Sequence, residues 1–173
     1  MEEEVFSEVE IPGELQLARY MSSSLVSSDE IYLAGGISTD LSTIKSDFFL
    51  YKPISNSCEK LQNCIQGRYT HSSIFNDNKI YLIGGRFYGT DYDSLLSHVE
   101  CYDIDLKTWK VLAPLFKRRC TFFTFLYKKQ IHVCGGYSGL LKRTKKFERY
   151  NDGKDFWEIL DMRLPNGLEC GFL

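Results

Sequence analysis

A chain of 173 residues, 43% hydrophobic and 25% charged, is long enough to bury a sizeable core and too apolar for general disorder. Its net charge of -2 and pI near 5.9 exclude a broad nucleic-acid footprint, which would need clustered Lys and Arg on one face. No run of about eighteen apolar residues reads as a membrane span, and Met1-Glu2-Glu3-Glu4 does not open a secretory signal, so a cytosolic or nuclear location is expected, the cytoplasm first.

In chain order, the acidic start at Glu2 to Glu4 reads as a solvated tail, and residues 5–11 alternate apolar and polar as an outer strand does. Residues 21–26 read as a strand, 27–30 as a turn, 31–34 as a second strand ending at Gly35-Gly36, with further strands near 47–51 and 58–61. The pattern then returns. Asn76-Asp77-Asn78 is a hairpin turn before Ile80 to Ile83 and Gly84-Gly85. Between Gly85 and the next strand, residues 86–97 form a longer insertion than 37–46 or 137–143, read either as the place where repeat proteins put recognition or as a plain surface excursion. Residues 102–109 read as a turn between outer strands, with Asp103 and Asp105 serving turn chemistry rather than a metal. Residues 120–127 are nearly continuously apolar, as an innermost strand covered on both faces would be. Lys142, Arg143, Lys145 and Lys146 form a dense basic patch, read as a solvated lysine-guarded edge on a third strand.

The repeat is set by Ile31-Tyr-Leu-Ala-Gly-Gly36, Ile80-Tyr-Leu-Ile-Gly-Gly85 and Ile131-His-Val-Cys-Gly-Gly136, spaced by 49 and 51 positions. A strand ending in two glycines implies positive φ or a neighbouring backbone too close for a side chain. Other residues keep station with the glycines. Sixteen positions before Gly35, Gly84 and Gly135 stand Arg19, Arg68 and Arg119; downstream stand Tyr51, Tyr102 and Tyr150, and seven residues later Cys58, Trp109 and Trp157.

This order of arginine, strand, Gly-Gly strand, tyrosine strand and tryptophan strand resembles the kelch repeat. Cys58 where tryptophan is usual, His132 where tyrosine is usual, and Gly167 where a fourth arginine would fall depart from it. The resemblance implies an all-β, kelch-type β-propeller of three four-stranded blades plus partial blades at both termini. Its parts would be an acidic tail with an outer strand (1–18), three repeats (19–66, 67–116 and 117–161) and the start of a further blade (162–173). Three blades cannot close a ring. Missing blades are expected from a longer chain or a second copy, and the surplus terminal strands favour the longer chain.

The resemblance further implies a non-catalytic scaffold that binds another protein, with an acidic or phosphorylated peptide loop held near the central channel. Arg19, Tyr20, Arg68, Tyr69, Arg118 and Arg119, with Arg86 and Tyr88 from the long loop, are the candidate contacts. The alternative for each repeat arginine is a structural bond to carbonyls between blades. Related kelch proteins that carry BTB or F-box domains deliver substrates to ubiquitin ligases; others bind actin, and some propellers are oxidases or sugar-modifying enzymes. His71, His98 and His132 lie in different parts of the repeat, Cys58-x5-Cys64 lacks a second pair, and no nucleophile motif occurs. Neither metal, cofactor nor catalytic residue is therefore assigned. The six cysteines are expected to be reduced, with Cys101, Cys120 and Cys134 as small packing residues.

Overall fold

The computed structural model describes residues 18–88, 94–139 and 142–165. The strands expected at 5–11 and from 168 onward, and the centre of the long loop, lie outside the described residues. Strand β1 (Ala18–Arg19) leads into β2 (Ser22–Ser27), β3 (Glu30–Ala34), the short β4 (Ile37–Ser38), β5 (Phe48–Lys52) and β6 (Ser57–Lys60). The second copy makes β7 (Ser72–Asn76), β8 (Lys79–Ile83), β9 (Val99–Asp103) and β10 (Thr108–Leu112). The third makes β11 (Phe123–Tyr127), β12 (Gln130–Cys134), a small hairpin of β13 (Tyr137–Gly139) and β14 (Lys142–Arg143), then β15 (Lys146–Asn151) and β16 (Phe156–Arg163). Among the described residues three four-stranded antiparallel sheets result, ordered β2-β3-β5-β6, β7-β8-β9-β10 and β11-β12-β15-β16, with β1-β4 and β13-β14 as two-stranded pairs. Lys142 and Arg143 belong to the side hairpin rather than the third strand, which corrects the reading of that basic run as one edge.

Local chemistry explains the turns. Asp77 and Asn78 take φ of 50° and 57°, the two left-handed positions that a two-residue hairpin turn requires. The Asp103 carboxylate accepts from the Asp105 and Leu106 amides at 3.1 and 2.9 Å and closes the turn between β9 and β10. The first hairpin differs. Leu25 faces Ile31 and Ser27 faces Glu30, so Val26 is one residue too many and forms a bulge.

The core lies between sheets, and the period of two along each strand decides which neighbour a side chain meets. In β8, Ile80 and Leu82 join Tyr32, Ala34, Phe48 and Leu50 of the first sheet. The alternate residues Tyr81 and Ile83 join Ile131, Val133, Tyr150 and Trp157 of the third. That is why all four of these β8 residues are buried. The inner strands β2, β7 and β11 stand side by side, with Ser24 Oγ donating to Ser73 Oγ at 2.8 Å across the first junction. Cys101, Cys120 and Cys134 occupy buried packing positions. The molecule is an all-β arc of propeller blades. The expectation that 120–127 is covered on both faces is corrected. Phe123, Phe125, Leu126 and Tyr127 are 36–57% exposed, because among the described residues no further sheet stands against β11.

Candidate interaction site at the inner rim

The residues that join one blade to the next also decide what is left at the surface. Gly35, Gly36, Gly84 and Gly85 all have positive φ. The Gly36 amide donates to the Arg68 carbonyl at 2.7 Å, and the Gly85 amide donates to the Arg119 carbonyl at 2.8 Å. A Cβ at Gly84 would come within 2.6 Å of the Arg119 oxygen, and one at Gly35 would collide with the Arg68 oxygen. Both reasons for glycine, the left-handed backbone and the close approach, therefore hold at once.

The arginine side chains turn inward. Arg68 is fully buried; its Nη1 donates to the carbonyls of Gly84 at 3.2 Å and His98 at 3.1 Å, and its Nε to Gln66 at 3.2 Å. Its Nη2 pairs with Glu100, whose other oxygen accepts from the Ile65 amide at 2.6 Å. Arg119 repeats the arrangement, donating to Gly135 and Lys146 at 3.1 and 3.3 Å and pairing with Glu148, which accepts from the Phe116 amide at 2.7 Å. Burial pulls both guanidinium groups below their ordinary pKa, and the facing carboxylates oppose it. Each pair ties the second and third strands of a blade to the segment that enters it. Placed there, Arg68 and Arg119 cannot meet a partner at the surface, which corrects their reading as contacts in favour of the structural alternative.

Arg19 behaves differently, because it does not occupy the same station. Arg19 bridges Ile37, just as Tyr69 bridges Arg86 and Cys120 bridges Tyr137, each partner being the residue after the second glycine. The arginine station of the first blade is thus held by Ala18, and the Val26 bulge hides the one-residue offset inside an unchanged count of sixteen. Register also puts Phe49 opposite Leu33 where Glu100 faces Leu82 and Glu148 faces Val133. Arg19 is exposed.

Around the axis, Tyr20, Thr70 and Thr121 are equivalent, with φ of 56°, 51° and 53°. The Thr70 amide donates to the Tyr20 carbonyl at 3.4 Å and the Thr121 amide to the Thr70 carbonyl at 3.0 Å, a ladder running from blade to blade. These residues, with Met21, His71 and Phe122, line an opening of about 140 Å³. His71 Nε2 lies 2.6 Å from Ser22 Oγ. Burial first, then the Arg68 charge, holds its pKa well below the ordinary histidine value, so the ring is neutral.

The Kelch motif family model matches residues 67–115, the span that contains Arg68, Gly84-Gly85, Tyr102 and Trp109. Residues 67–115 are a kelch motif, and the chain is similar to kelch-repeat proteins. Among proteins similar to it is human Kelch repeat and BTB domain-containing protein 8, 29% identical over 143 residues, covering 79% of this chain and 22% of the relative. Kelch-like protein 23 of Homo sapiens is 31% identical over 102 residues, 58% of this chain and 16% of that protein. A solved structure described as "Structure of YjhT" superposes with a TM-score of 0.70 at 13% identity, covering 87% of this chain and 53% of that one. The chain spans less than a quarter of the length of the first relatives it matches.

The kelch tryptophans add a second junction. Trp109 Nε1 donates to the Gln62 carbonyl at 2.9 Å and Trp157 Nε1 to the Ala113 carbonyl at 3.0 Å, each reaching the crossing from the preceding blade. Tyr102 and Tyr150 lie directly across from these tryptophans, as spacing of seven implies, and Tyr51 likewise faces Cys58. Of the candidate contacts, Tyr20 is 57% and Tyr88 73% exposed, Arg118 is exposed, and Tyr69 and Arg86 are joined by two backbone bonds of 2.9 Å. Arg86 Nη1 also donates to Ser94 Oγ at 2.9 Å. Sequence reasoning missed Thr70, His71, Thr121 and Phe122 at the opening. Their signal was the pair of positions two and three beyond each buried arginine.

Proposed function

We propose that this chain is the interaction face of a non-catalytic kelch scaffold, and that a partner protein is held at the inner rim by Arg19, Tyr20, Tyr69, Arg86, Tyr88 and Arg118. The observation that carries this reading is the axial ladder. It turns Tyr20 outward on a rigid left-handed backbone beside an opening whose lining offers hydroxyls, aromatic edges and a neutral imidazole already engaged by Ser22. Rigid aromatic and arginine groups are what protein interfaces use as anchors. The whole protein is proposed to be cytoplasmic and, since the similar human protein's name includes a BTB domain, to act as a substrate adaptor.

Comparative affinity capture tests the reading. Wild-type chain and an Arg19→Ala, Tyr20→Ala, Arg86→Ala variant of equal melting temperature are each exposed to cell extract, and bound proteins are quantified. Loss of specific partners from the variant is the expected result; an unchanged set overturns the inner-rim assignment.

A further inference from the structure

Beside the β13–β14 hairpin lies a hollow of about 430 Å³ lined by Lys117, Ser138, Lys142, Arg143, Thr144 and Lys146. Four of these side chains are cationic and no carboxylate lines it, in a chain whose net charge is -2. Among the described residues, Lys117, Lys142 and Lys146 make no ion pair. Like charges gathered around a concave surface focus a positive potential and attract an anion.

The backbone under these cations is fixed by the buried Arg119–Glu148 pair. Arg119 Nη1 holds the Lys146 carbonyl at 3.3 Å, and Glu148 holds the amide of Phe116, the residue before Lys117, at 2.7 Å. The Thr144 amide donates to the Gly136 carbonyl at 2.9 Å, the Lys146 amide to Thr144 Oγ1 at 3.3 Å, and the Arg143 guanidinium lies 5.7 Å from the centre of the Tyr137 ring. The backbone at Lys117 and Lys146 is therefore tied to one buried ion pair, and Ser138 and Thr144 add hydroxyl groups to the lining.

We propose that this hollow receives a phosphorylated serine or threonine side chain of a bound protein. A phosphate carries close to two negative charges and three terminal oxygens, and so accepts from donors on several walls at once; a carboxylate has one charge and one plane. A nucleic acid would need a basic stripe along its backbone, and the cations here form a single cluster. The inference rests on the scaffold reading above, and the lining of this hollow shares no residue with that of the axial opening.

The test uses the full chain and a short fluorescent peptide with one phosphoserine, alongside serine and glutamate twins, read by fluorescence anisotropy. The phosphopeptide is expected to bind about tenfold or more tighter than either twin, with about that factor lost in Lys142→Ala and in Lys146→Ala, as loss of a charge-assisted bond would give. Lys60→Ala, distant and paired with Asp47, serves as the unchanged control. Lys142→Gln replaces either alanine variant that melts early. Equal binding of the three peptides overturns the proposal, as does tighter binding of a short oligonucleotide or an anionic vesicle through the same lysines. If extract partners survive phosphatase treatment and still require Tyr20 while the phosphopeptide fails, the hollow falls and the rim stands. If the phosphopeptide binds and the rim variant captures an unchanged set, the rim falls and the hollow stands.

Discussion

The first and second blades have the same strand order and the same glycine lock, yet one carries a buried ion pair and the other does not. In the second, Arg68 and Glu100 meet in the interior; in the first, Ala18 and Phe49 take those stations and Arg19 lies outside. The difference separates two jobs that a repeat arginine combines in the second blade. Joining neighbouring blades uses only its carbonyl, a main-chain group that the glycine amide of the preceding blade reaches. Pinning the strands within a blade needs the guanidinium and a glutamate together.

Removing one member of the pair should produce the largest effect. Glu100→Ala leaves an unpaired buried guanidinium and is expected to cost about 3–5 kcal/mol by urea unfolding, with much of it recovered in Arg68→Met, Glu100→Leu because the burial of both charges is then avoided. Next comes the lock. Gly35→Ala forces a side chain onto left-handed backbone against the Arg68 oxygen and should cost about 2 kcal/mol or more. Gly153→Ala, where the added carbon meets only Asn151 Oδ1 at 3.7 Å, should stay within about 0.5 kcal/mol.

Acid should act next, through the histidines that lie beside Arg68 in the second blade. His71 is neutral in the folded protein because burial and Arg68 depress its pKa, whereas in the unfolded chain it titrates near 6.5. Between those values the unfolded state takes up a proton that the folded state refuses. Stability should therefore fall as pH drops below about 6.5, at up to about 1.4 kcal/mol per pH unit for this group. His98, also depressed by burial and Arg68 and opposed by Glu100, acts in the same direction. His71→Gln should flatten the dependence measured by urea unfolding at several pH values. The smallest effect belongs to the first blade, where Arg19→Ala should change stability by no more than about 0.5 kcal/mol, against several for Arg68→Ala.

Most of the scaffold is legible in the amino-acid order alone, since Gly-Gly runs, tyrosines and tryptophans recur in register and alternation along β8 follows from a period of two. The site is less legible for physical reasons. A bulge at Val26 adds one residue to a hairpin without altering the count from arginine to glycine, so three arginines look equivalent when two are. Glu100 and Glu148 cannot be matched to arginines 32 and 29 residues away by linear spacing, because that pairing crosses the sheet. The hollow joins Lys117, in the segment that enters the third blade, to residues 138–146 more than twenty positions on, and linear charge patterning shows only the run from 142 to 146.

The junction from Gly36 to the Arg68 carbonyl, repeated from Gly85 to Arg119, uses main-chain atoms alone and points one way round the arc. Such a joint is indifferent to the identity of the incoming module, so duplication of one unit supplies an adapter that already fits both ancestors. Polarity of this kind makes the number of modules an evolutionary variable, adjustable by copying rather than by redesigning each seam.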